Sequence, residues 1–325
     1  MAVYSNRIVV SVSKAGIGPW LRITNSQSTA IQVGSQVIWQ IPVSTLQARF
    51  PSLNSSLSNL RFVYNGQFVP AWLESINNGT ATIWIKMPVS IAANSSITLN
   101  LYANSNLNFD GVYWGEAPQL SPTYGQYDNG ASVFPTFYQN FAGTTCPSGW
   151  TCSGVTINNG ISIPYSSYAI TTTKYGLNAN QILDFYGSFP TATSTANAGL
   201  GYTLSSSAVS SSTAIQTWIE INTYLWSNGY AGGLADQGSK WSYTSAMATG
   251  THIWSIYWAS SASASFYYDY GSAYIVTTNV YGSQLPIGGA NNQVSQATIG
   301  PFYWIRLRAY PPNGVMPTVS IGSIA

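Results

Sequence analysis

Residues 155–163, VTINNGISI, set Val155, Ile157, Ile161 and Ile163 in alternation about an Asn-Gly pair. Period-two alternation lines one face of a pleated strand, and Asn-Gly takes up the left-handed backbone of a two-residue hairpin turn. The same grammar recurs along the chain. TATIWIKMP puts Ile83, Ile85 and Met87 on one face and Thr82, Trp84 and Lys86 on the other. Asn65-Gly66, Asn78-Gly79 and Asn94-Ser95-Ser96 punctuate neighbouring runs with turn chemistry. No segment keeps a convincing helical period of 3.6, apart from one short turn expected in STLQARFPSLNSSLSNL before Pro51. The chain is therefore expected to be all-β.

Strands are expected near Arg7–Val12, Trp20–Asn25, Gln36–Val43, Leu60–Tyr64, Phe68–Glu74, Ala81–Met87 and Ser96–Ala103. That density suits a small β-sandwich over residues 1–105. Residues 106–132, rich in Gly, Pro, Asn and Tyr, are expected to be a linker or inter-domain loop that packs against something. Residues 133–325 hold further expected strands at Ile182–Tyr186, Ala198–Leu204, Ala214–Leu225, Trp241–Ala246, Thr251–Trp258, Ala264–Tyr270, Ala273–Thr278 and Phe302–Tyr310. This larger region fits a two-sheet jelly roll.

Composition narrows the function classes. Charged residues make up 6% of the chain, against about 25% in ordinary soluble proteins. The 14% of aromatic residues argues against disorder. No run approaches the roughly 20 apolar residues that a membrane helix needs, so no membrane insertion is expected. The ten basic residues are scattered, without the clustered cations of a duplex-binding surface, so nucleic acid is not an expected partner. MAVYSNRIVVSV leads straight into a strand pattern with no apolar leader and cleavage site. Either a mature segment behind a start Met or a route outside general secretion, as for virion proteins, is expected.

Candidate chemistry is sparse. One His, two Cys and eight dispersed acids do not build a metal centre by spacing, so no metal and no cofactor are expected. His252 alternates with Trp254 in THIWSIYW and reads as a strand residue held by a neighbour, since no nucleophile elbow accompanies it. Glycoside hydrolysis needs two facing carboxylates. Glu220, flanked by Trp218 and Tyr224, is the one weak catalytic candidate and has no acidic partner nearby in sequence. Binding suits the composition better. In FYWIRLRAY, Ile305 and Leu307 take the core side, which leaves Trp304, Arg306 and Arg308 outward, with Tyr310 beyond. With Trp254 and Tyr268 these form a candidate glycan site, an interface, or a stacking ladder that only stabilises the sheet. Asn54, Asn78 and Asn94 lie in glycosylation sequons. Cys146 and Cys152, five residues apart in TTCPSGWTCSG, leave metal clip, redox couple and structural staple open.

Two parts of the chain resemble known families. Leu60-Arg61-Phe62, Pro70, Trp72, Glu74, Trp84, Ser95-Ser96 and Leu101-Tyr102 follow the pattern of a domain-of-unknown-function family of archaeal and bacterial surface proteins. Phe137, Phe141, Gly143, Trp150 and Asn159-Gly160, with Asp269 to Gly271, resemble the concanavalin A/laminin-G-like sandwiches. That second resemblance implies a lectin-like jelly roll in which Trp150 packs under the sandwich. Cys146 and Cys152 bracket Trp150, which implies a disulfide staple worth roughly 2–2.5 kcal/mol in the chain-entropy model. Family members often carry acids beside Phe137; Tyr138, Gln139 and Asn140 stand here, so no calcium site is expected.

The expectation is a non-enzymatic structural or attachment protein of an external surface, either a virion component or an archaeal cell-surface or filament subunit. Its expected partners are copies of itself, other surface proteins and glycans. A lectin-like carbohydrate-binding module is the first alternative and a glycoside hydrolase the second. With eight acids and one His to titrate, thermal unfolding should be nearly flat over roughly pH 2–7. Calorimetry across that range checks this, and a steep fall in Tm below pH 4 would contradict it.

Overall fold

The structure is a computed structural model that describes residues 17–177, 180–189, 198–203, 216–223, 231–238, 240–291 and 298–322. The strand expected at Arg7–Val12 lies outside them. The chain divides into two units, Met1–Pro135 with Pro311–Ala325, and Thr136–Tyr310.

Alternation builds the first unit. Its strands are β1 (Ile17–Asn25), β2 (Gln36–Pro42), β3 (Leu60–Tyr64), β4 (Gln67–Val69), β5 (Ala71–Asn77), β6 (Thr80–Lys86), β7 (Ser95–Ala103) and β8 (Trp114–Glu116). Helix α1 (Val43–Arg49) is the short helical segment expected before Pro51, and α2 (Gly130–Val133) is a single turn. The expected strand Phe68–Glu74 is two strands divided at Pro70, which has no N–H to give to a ladder. Among the described residues the sheets run β2-β6-β5-β8 and, with the chain's last strand at one edge, Thr318–Ile321-β1-β7-β3-β4. Ile83 and Ile85 of β6 meet Trp39, Leu73, Leu99 and Leu101 in the core between them.

The opposite face of the four-stranded sheet is also covered. Trp72 and Trp84 stand opposite each other across β5 and β6, and Phe134 packs edge-on to both, at 5.6 and 5.9 Å. Their indole N–H groups donate to Asp128 and Glu74, at 2.9 and 2.8 Å. The segment read as a linker is thus part of this unit. Trp114 is fully buried against Phe62, β8 pairs in parallel with β5, and the Asn129 amide donates to Ala71 and Val112 carbonyls. Gly115 lets the strap lie close, since a Cβ there would sit 2.2 Å from the Tyr127 carbonyl. Tyrosine and tryptophan in a nearly uncharged stretch gain too much by burial to stay solvated.

Arg61, 3% exposed, is held by Asp110 at 3.1 Å and by the Leu60 and Asn108 carbonyls at 2.7 and 2.6 Å. Asp110 also accepts the N–H groups of Val112, Tyr113 and Trp114, closing the turn into β8.

The second unit is a two-sheet jelly roll. Its strands are β9 (Phe137–Gln139), β10 (Trp150–Ser153), β11 (Thr156–Ile157), β12 (Ile161–Ile163), β13 (Ser167–Tyr175), β14 (Gln181–Phe189), β15 (Ala198–Thr203) and β16 (Gln216–Asn222). They continue with β17 (Gly232–Gly238), β18 (Trp241–Tyr243), β19 (Gly250–Ser260), β20 (Ser263–Tyr268), β21 (Tyr274–Val276), β22 (Leu285–Asn291) and β23 (Ile299–Ala309). Among the described residues one sheet is β10-β13-β22-β15-β16-β17-β18 and the other β11-β12-β23-β14-β19-β20-β21, with β9 also on β23. The hairpin expected at 155–163 forms, with Asn159 at φ 54°. Cys146 and Cys152 form a disulfide, and Trp150 packs against Phe141 and Phe137 at 5.2 and 6.2 Å.

The last strand, β24 (Thr318–Ile321), pairs antiparallel with β1. The expected boundary of 133–325 for the larger domain is corrected accordingly: residues 311–325 return to the first unit, where β1 offers an open edge.

Glu116 is 7% exposed, and burial raises its pKa although a Ser121 hydrogen bond works the other way. A carboxyl whose folded pKa lies above its unfolded value favours the fold at low pH and loses that contribution as pH rises through the window above about 4.5. Glu116→Gln should therefore be at least as stable as the parent at pH 7, with the difference closing below pH 4.5; denaturant titrations at both pH values read it.

Candidate functional site

Alternation in the eight-stranded sheet sorts its residues. Leu183 and Phe185, Trp254 and Ile256, Ala264 and Phe266, and Ile305 and Leu307 face the core. The residues between them make an outward face whose rows the register fixes. One row runs Arg306–Asp184–Ser255–Tyr267, and the next Arg308–Ile182–Tyr257–Ser265–Ile275.

The first row holds a buried ionic cluster. Asp184 Oδ2 accepts from Arg306 Nε and Nη2 at 3.1 and 3.0 Å and from Arg308 Nε at 2.8 Å, and all three residues are buried. Arg306 Nη2 also donates to the Tyr270 hydroxyl at 2.8 Å, and its guanidinium lies 4.5 Å over the Trp304 ring. Charges this deep persist only when paired and hydrogen-bonded.

Beside it lies a tyrosine platform. Tyr257 and Tyr310 stack 3.7 Å apart at 6°, and both are half-buried. Burial raises the pKa of each hydroxyl, and so does the proximity of neighbouring tyrosines, Tyr267 among them. Both stacked rings stay neutral at ordinary pH. From Tyr257 the row continues through Ser265 to Ile275, which is 57% exposed on edge strand β21.

The sequence candidates separate on this frame. Trp304, Arg306 and Arg308 do face outward, but they are 0%, 0% and 6% exposed, so as a directly accessible glycan or interface surface they are corrected to a covered ladder. Trp254 is core and Tyr268 packs against the core, which corrects their placement on a binding face. Tyr310 keeps an accessible face. The signal that reasoning missed was Asp184, whose partners lie more than 120 residues away in sequence.

Glu220 is 2% exposed on β16, with its carboxyl where a Cβ of Gly199 would be. Asp236 lies two residues along β17 from Leu234, the register partner of Glu220. Tyr224 lies outside the described residues. Asn78 and Asn94 are exposed at turns, with φ of 49° and 51°. Asn54 is exposed as well, and its side chain is engaged by Ser56 and Ser58.

His252 binds Asp269 Oδ2 through Nδ1 at 2.6 Å and lies 2.9 Å from the Thr249 carbonyl through Nε2, so both ring nitrogens are occupied. The hydrogen bond to Asp269 raises the His252 pKa. Burial opposes the Asp269 charge, yet bonds from His252 and the Ile253 N–H bring its pKa below the usual value. The His252 contribution is present below about pH 6.5 and lost as pH rises through its raised value, while that of Asp269 is present above about pH 3.8. The pair is partly exposed and contributes little.

No family model matches the chain. An uncharacterized protein of Sulfolobus islandicus rod-shaped virus 1 is 28% identical over 92% of this chain, which spans 58% of that protein's length. Among solved structures, a Bacillus licheniformis β-glucanase has a TM-score of 0.39 at 12% identity, covering 53% of this chain and 97% of the glucanase. A pseudo-β-1,3-glucanase of Mycobacterium tuberculosis has a TM-score of 0.37 at 13% identity, covering 53% and 98%. The expectation that the chain is not an enzyme does not stand, because the solved folds it is similar to are those of glucanases and a pseudo-glucanase.

Removing one partner of a buried ion cluster leaves uncompensated charge. Asp184→Ala should cost about 3–5 kcal/mol of unfolding free energy, read by chemical denaturation.

Proposed function

We propose that the chain is a structural or attachment protein on the exterior of a virus particle. In this reading it packs against further copies of itself or other surface proteins through the tyrosine platform of Tyr257, Tyr267 and Tyr310. The platform is the observation that carries the reading: stacked, neutral aromatic rings kept partly open on an outward sheet face. Tyrosine anchors interfaces because it brings a large rigid contact area with a polar tip. The ionic cluster next to it holds β14 and β23 in one geometry, as an interface scaffold requires. Similarity to a rod-shaped virus protein over most of the chain supports a particle setting, and a partly exposed disulfide suits an oxidising exterior.

Sedimentation of the purified protein tests this. Concentration-dependent self-association, abolished in Tyr257→Ser/Tyr310→Ser without loss of Tm, is the expected result, together with labelling of intact particles by antibody. A monomer at all concentrations that is absent from particles would overturn it.

A further inference from the structure

At one side of the second unit, two edge strands from different sheets come together: β18, the last strand of the seven-stranded sheet, and β21, the last of the eight-stranded sheet. Between them lies an open groove lined by Ser242, Tyr243, Ile275, Val276, Thr277 and Thr278. Tyr243 is 54% and Ile275 57% exposed, and they supply the groove's apolar contact surface. None of the six lining residues carries a charge at neutral pH.

The hydroxyl groups are arranged rather than scattered. Ser242 Oγ and Thr278 Oγ1 are 2.7 Å apart, and Asn279 Nδ2 donates to Ser242 Oγ at 2.8 Å. Asn279 is in the left-handed region, φ 55°, which turns its amide back under the strand. Two hydroxyls share two protons, and their mutual bond consumes one. If Ser242 donates to Thr278, the Thr278 proton is left for a ligand; if Thr278 donates, the Ser242 proton is left. Either way the pair presents one donor with spare acceptor capacity. The Thr277 side chain adds a further exposed hydroxyl.

We infer that this groove binds a neutral oligosaccharide. A sugar ring has an apolar C–H face, which the Tyr243 ring and Ile275 match, and a rim of hydroxyls that both donate and accept, which the Ser242–Thr278 pair and Thr277 match. An anionic ligand would meet no cation among the lining residues, and a cationic one no carboxylate. An extended peptide adding to either edge would use backbone groups and leave the hydroxyl pair without a task. Neither Glu220 nor the Tyr257–Tyr310 stack lines the groove: Tyr243 stands two strands from Glu220 in the row Glu220–Leu234–Tyr243, and Ile275 two strands from Tyr257. The inference holds whether or not the chain self-associates.

The test is titration of the whole protein with neutral gluco-, manno- and galacto-oligosaccharides, followed by ligand-observed NMR and calorimetry. Binding to at least one series, little changed between low and high salt, is expected. Tyr243→Ala and Thr278→Val should each weaken it tenfold or more at unchanged Tm, while Tyr257→Ser/Tyr310→Ser should leave it intact. The inference is overturned by absence of binding across the panel. Binding that survives both groove variants overturns it equally, as does preference for a charged saccharide with steep salt dependence.

Discussion

The second unit hangs on a single carboxylate. Asp184 joins Arg306 and Arg308 of the neighbouring strand on a face where Trp304 and Tyr270 complete the set. The chain has eight acids, and it places several of them inside. Glu74, Glu116, Asp184 and Glu220 are buried, and Asp128 accepts the Trp72 indole N–H while Asp110 closes a turn on Arg61. Acids here act as internal acceptors that fix strands and straps. What remains for the solvent is mostly hydroxyl and amide with a few scattered charges, Arg22, Arg49, Lys174, Lys240 and Asp269 among them, so the outer surface gains solubility with little charge and is little affected by ionic strength.

How much of this was legible depends on how local the cause is. The 155–163 hairpin and the faces of TATIWIKMP were readable because neighbours in sequence decide them. The outward direction of Trp304, Arg306 and Arg308 was readable from the same alternation. Their burial was not, because it depends on Asp184 from a strand more than 120 positions earlier. Strand β22 escaped notice for a different reason. In LPIGGAN every residue is buried, so no polar face exists to alternate with. The 106–132 segment looked like a connector because Gly, Pro and Asn dominate it, whereas its aromatic residues decide its position.

The candidate site shows the same division. Aromatic content pointed to contact surfaces, yet the strongest-looking row proved to be covered. The accessible features lie farther across the sheet: Tyr257 against Tyr310, then Ile275 and the hydroxyl pair of Ser242 and Thr278. Tyr257 and Tyr310 are 53 positions apart, and only the stacking of strands brings them together.

The pairing of β24 with β1 makes the second unit an insertion within the first. During synthesis β1 is made early, but its edge partner is made only after the whole jelly roll has been synthesised. The first sheet is therefore completed last, and until then β1 presents a raw edge to whatever is nearby. Finished, the jelly roll is tethered at both of its ends, so a protease that cuts one connection leaves the two units joined by the other.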